Sequence, residues 1–240
     1  MKYKRGSHVG VVLSFIIFIT FMAFLYTMIE PAIKMKEDKQ FILNYLEIEL
    51  IERLSEDLTS ITVIIDKTIT QDCVELVDSM NEELINNKLI TKDNSENVLE
   101  SKTLDNNLFI NRGDGQTDFF KIRISEEFEP IEEGKIPGCK PLKKDKEEYK
   151  IGSINVNKYL FETKIIELKE NYSSDYDSLK KELNISIGNE FGFDFIYNNG
   201  TIIGTKTGET KRDIYIEDIP VQYIDKEANI LPGVIRIKVW

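Results

Sequence analysis

An uncharged run from Ser7 to Ile29, preceded by Lys2, Lys4, Arg5 and Gly6, constrains this chain more than anything that follows it. The run is 23 residues long, close to the ~20 that a helix needs to cross a hydrocarbon core. It is crowded with Phe, Ile, Leu and Val, so it reads as a membrane-spanning helix within residues 1–33. A cleavable secretory signal has a shorter apolar core and a small-x-small exit. Here the exit is Met28-Ile29-Glu30-Pro31-Ala32, without such a site, and a retained anchor is expected.

Orientation rests on the flanks. Lys2, Lys4 and Arg5 sit tightly before the run, whereas Lys34, Lys36 and Lys39 behind it are interleaved with Glu30, Glu37 and Asp38. A short basic tail is easily kept in the cytoplasm, which sends the remaining ~200 residues outside. That length suffices for one domain or two small lobes. A net charge of −11 argues against nucleic acid and anionic lipid headgroups as partners, because both would be repelled.

Pro31 is expected to kink the helix or mark its boundary. Over 34–59, Leu43, Leu46, Leu50, Leu54 and Leu58 recur at three- and four-residue steps and draw one apolar stripe. Such a stripe packs on the chain's own exterior sheet or presents a surface to a neighbouring copy or partner helix. Residues 60–131 carry β-branched runs at 61–65, 88–91, 97–101, 107–110 and 119–124, separated by turn residues, and predict an antiparallel meander. Residues 132–148, rich in Lys, Glu, Pro and Gly, read as a charged, solvated connection. In 149–240, Ile165, Leu168, Tyr172, Tyr176, Leu179 and Leu183 predict a packed helix over 164–183. Phe191, Phe193, Phe195 and Tyr197, the Asn199-Gly200 turn, and strands at 213–217, 221–224 and 233–240 then predict a second meander. The fold class is α+β: a long transmembrane helix with an amphipathic extension, then an antiparallel β-rich exterior domain with one packed helix.

Chemistry-bearing motifs are sparse. The single histidine is His8, at the edge of the apolar run, so no exterior Ser-His-Asp or Cys-His pair can be built. Phosphate-loop, nucleophile-elbow and calcium-loop patterns are missing from the sequence. No enzymatic activity, metal or cofactor is expected. Cys73 and Cys139 form one disulfide or stay as two buried thiols. Asn171, Asn184 and Asn199 open Asn-x-Ser/Thr triplets, which are N-glycosylation acceptors in an exported domain. Arg112-Gly113-Asp114 has the form of an adhesion tripeptide, but its Gly and Asp are what a turn requires.

The short basic leader ending Lys4-Arg5-Gly6, the apolar helix directly behind it, the helical extension and the β-rich remainder together resemble archaeal type IV pilin-like proteins with a class III signal. That resemblance implies cleavage between Gly6 and Ser7 and a membrane helix that becomes the packed core of a filament. Ser7 stands where many such pilins begin with Gln, and Val11 where many carry Glu. Stretches 118–128 and 175–185 are also similar to segments of single-pass archaeal membrane proteins of unsettled function. Gly10 and Ser14 are candidate positions for close helix packing, together with the leucine stripe. The expected function is a pilin-like structural or surface-assembly subunit; the alternative is a permanently anchored extracytoplasmic binding or sensing domain. Expected partners are the lipid bilayer and other pilin-like subunits or cell-envelope proteins.

Overall fold

The computed structural model describes residues 8–77, 88–113, 117–205 and 213–240, and of residues 8, 9 and 31–37 the backbone alone. A single helix, α1 (His8–Leu54), runs for 47 residues. Pro31 lies inside it rather than at a boundary. One proline removes one backbone donor and crowds one turn, a local cost that a long helix can absorb.

The remainder is built from β1 (Ser55–Ile65), β2 (Cys73–Leu76), β3 (Leu89–Asp93), β4 (Val98–Leu99), β5 (Ser101–Leu104), β6 (Asn107–Asn111) and β7 (Phe119–Ile124). Then follow β8 (Lys140–Leu142), β9 (Tyr149–Phe161), α2 (Glu162–Ser174), α3 (Tyr176–Glu182), β10 (Phe191–Ile196), β11 (Ile202–Gly204), β12 (Tyr215–Ile224) and β13 (Ile230–Val239). Among the described residues one nine-stranded sheet has the order β11-β10-β13-β12-β9-β1-β7-β3-β4, and a smaller one the order β5-β6-β2-β8. The fold is α+β and mostly antiparallel; β9 pairs with β12 in parallel, as does β2 with β8.

Several expected elements are rearranged. The helical stripe stops at Leu54, and Leu58 lies on β1, where the β-branched run of 59–65 draws the chain into a strand. Leu58 packs with Phe128, Phe161, Ile224 and Ala228. The first meander is divided between the two sheets, with β1, β3, β4 and β7 in the large one and β2, β5 and β6 in the small one. Residues 132–148 also supply β8, which pairs Val74 with Lys140. The second meander is not sequential, since β13 lies between β10 and β12. Every residue from Phe191 to Phe195 is buried, so β10 needs a strand on each side, and three-residue β11 suffices only as an edge. The expected strands at 213–217 and 221–224 are one strand through Pro220. Proline is tolerated there because β12 meets β9 only at Tyr223 and Ile224, leaving no ladder on that side of Pro220.

The expected helix over 164–183 is two helices broken at Asp175, whose carboxylate accepts from the Ser178 N–H at 3.1 Å. Its apolar face behaves as expected: Ile165, Leu168, Leu179 and Leu183 join Leu43, Leu46, Leu50 and Leu54 over the Phe191–Phe195 face of the sheet. The second half of α1 is therefore a core helix of the domain it carries.

Candidate functional site

The feature with most functional content is the junction where α1 leaves the domain. From Gly10 to Glu30 it is long and apolar enough to cross a membrane, and none of that stretch is buried. Gly10 has open space where a side chain would project, and Ser14 is exposed. Gly6 and Ser7 lie outside the described residues. The domain takes hold of α1 at Lys39, whose Nζ donates to Asn189 Oδ1 at 2.5 Å. Gln40 donates to Glu217 Oε2 at 3.4 Å, and from Leu43 onward the inward face is sealed. The apolar face of one helix thus passes from exposure to burial within a few turns.

A second constellation ties the two halves of the large sheet together, and sequence reasoning missed it. Two five-residue turns share one design. In each, an Asp at the first position accepts from the backbone N–H of the fifth, an Asn, at 2.8 Å for Asp93/Asn97 and 2.7 Å for Asp225/Asn229. The fourth position has positive φ, 66° at Glu96 and 58° at Ala228. The turns face each other across two buried cations. Lys92 donates to the Glu227 carbonyl at 2.9 Å and to Asn229 Oδ1. Arg123 donates to the Ala228 carbonyl and pairs with Glu96 at 2.9 Å. Burial, reinforced by the Arg123 charge, pushes the Lys92 pKa down. Burial opposes the Glu96 carboxylate, but the Lys121 hydrogen bond and the Arg123 charge outweigh it and hold its pKa below the usual range. The available signal was the repeated Asp-x-x-x-Asn spacing.

The remaining candidates are placed as follows. Cys73 and Cys139 are joined by a disulfide, with Cα atoms 4.3 Å apart; it sits where β2 and β8 begin to pair. Asn171, Asn184 and Asn199 are all exposed, and Asn199 Oδ1 also accepts from the Thr201 N–H at 2.9 Å. The Arg112 side chain is wholly buried and bonds the carbonyls of Thr117 (2.9 Å), Ile69 (3.0 Å) and Gln71 (3.2 Å). Its guanidinium is a structural bracket with none of its surface left for an adhesion receptor; Asp114 lies outside the described residues. Tyr176 and Tyr197 have phenol pKa values raised chiefly by burial, and Tyr176 donates to Glu190 at 2.5 Å.

Between α1, β9 and β12 lies an open groove of about 590 Å³ whose lining includes Ile48, Ile51, Tyr159, Leu160 and Val221 together with Glu47, Glu52 and Lys158. A smaller cavity of about 290 Å³ is bordered by Glu127, Glu129, Glu162 and Asp225. Among the described residues no three His, Cys, Asp or Glu side chains converge as metal ligands would. Compared with protein-family models, curated proteins and solved structures, the chain matches none.

Proposed function

We propose that this is a non-enzymatic, single-pass membrane protein whose β-rich domain lies outside the cytoplasm and serves as a pilin-like structural or surface-assembly subunit. The observation that carries the reading is α1: an apolar stretch of 21 residues, none of them buried, continuous with a helix locked into the domain core. An uncovered apolar helix of that length calls for lipid or for neighbouring apolar helices. A subunit that passes from bilayer into an assembly meets each in turn. The Cys73–Cys139 disulfide supports an exterior placement, since such bonds persist in oxidising compartments.

The test is the mass of the N-terminal peptide from protein isolated from its native membrane. A chain beginning at Ser7 is expected. Retention of Lys2 to Gly6 refutes the pilin-like reading and leaves a permanently anchored binding or sensing domain. The groove beside Ile48 and Ile51 is the observation that favours this second reading, because its lining of mostly apolar with some charged residues has the make-up of a binding cleft.

A further inference from the structure

The geometry points to a second membrane contact, separate from the span: an apolar foot of Ile187, Ile214 and Trp240 at the end of the large sheet, seated in the lipid headgroup layer. The inference rests on reading α1 as a membrane span. Tyr215 pairs with Val239 and Ile216 with Lys238. That register sets Ile214 opposite Trp240, on the sheet face away from α1. Trp240 exchanges backbone hydrogen bonds with Glu190 at 2.8 and 3.0 Å, and its ring lies against Gly192. Just beyond Glu190, the Asn189 N–H returns to the Ser186 carbonyl at 3.2 Å and the Asn189 side chain to Ser186 Oγ at 2.7 Å. This closed turn holds Ile187 outward, fully exposed. Lys39 ties the same turn to α1.

The level of this end follows from helix and strand rise. Gln40 meets Glu217, while Ile48 and Ile51 share a groove with Val221 and Gln222. About 15 Å of helix thus runs beside about 15 Å of strand, so α1 and β12 are close to parallel. Glu30, the last residue of the apolar stretch, lies about 15 Å below Gln40, and Ile214 about 10 Å below Glu217. Ile214 and Trp240 therefore stand about 5 Å above the hydrocarbon boundary, within a headgroup layer roughly 5–7 Å thick.

Chemistry selects the occupant. Ile214 is 40% exposed and Ile187 fully so, and Trp is the residue that favours the membrane–water interface. Two of the neighbouring charges are engaged, Lys238 with Asp194 at 2.5 Å and Glu190 with Lys180 at 2.8 Å. The foot is thus an apolar wedge for zwitterionic lipid and not a receptor for headgroup charge.

Trp240 is the only tryptophan in the chain, so it reports its own position. The full chain is reconstituted at low density into phosphatidylcholine vesicles, with insertion scored separately by flotation and resistance to alkaline extraction. Lipid carrying a nitroxide on the headgroup is expected to lower Trp240 emission about twofold, and Ile187→Ser with Ile214→Ser to restore most of it. Unchanged emission in inserted protein overturns the foot and leaves the span. Quenching that does not respond to these substitutions, or emission that varies with protein density, also overturns the foot; the density dependence would mean that the face meets another copy. Failure to insert overturns the span reading itself.

Discussion

Replacing Leu50 by Ala separates a core helix from a tether. Leu50 is completely buried beneath α2 and the Phe-rich face of the sheet. Truncation removes three carbons and leaves a cavity that the surrounding β-sheet can only partly close, which costs about 3 kcal/mol. For a domain near 200 residues, each kcal/mol shifts the melting temperature by about 2–4 °C, so the expected loss is about 6–12 °C. The assay is thermal unfolding of the full chain in detergent micelles, followed by near-ultraviolet circular dichroism, which reads the domain's packed aromatics and not the span. Ile48→Ala is the control on the same helix: Ile48 is 65% exposed, and its truncation should stay within about 0.5 kcal/mol. Equal shifts for the two variants would refute the assignment of the leucine stripe to the core. A corollary is that Leu50→Asp unfolds the domain, so loss of assembly in that variant says nothing about a helix–helix surface.

Two further outcomes follow from the charged and covalent links. Cys73→Ser with Cys139→Ser opens a loop with a sequence separation of 66 residues, which chain entropy values at roughly 4 kcal/mol; the denaturant midpoint of oxidised protein should fall accordingly and then ignore reductant. Glu56, Glu96 and Asp218 have depressed pKa values in the fold. The unfolded chain therefore binds more protons as pH falls through their range, and the stability they contribute, present above their ordinary values, is lost between about pH 5 and 3. Urea midpoints across that window should fall with acidification, and Glu96→Gln should flatten the fall.

Much of the architecture was legible because it depends on local signals. The uncharged run, the leucine stripe from Leu43 to Leu54, the α2–α3 face and the Phe191–Phe195 alternation each state a period, and each period survives in the fold. Strand order was not legible, because pairing is decided between distant residues: nothing local to Phe193 says that Ile237 lies beside it. The 13-residue β9 escaped for a related reason. Lys150 to Lys158 are exposed along most of their length, so the strand shows no clean alternation, although it pairs with β1 from Ser55 to Ile65. For the two functional features the same rule holds. The apolar helix could be read from composition, whereas the Lys92–Arg123 clamp depends on two turns that lie more than a hundred residues apart in sequence.

The unbroken course of α1 makes the protein a lever. From Glu30 to Leu54 the rod extends about 36 Å, so a 10° tilt of the apolar half sweeps its far end through about 6 Å. Because the sheet is bolted to that rod by Leu43, Leu46, Leu50 and Leu54, the domain points where the span points. On the proposed reading of α1 as a span, bilayer thickness and neighbouring helices, which set the tilt of a span, also aim the domain.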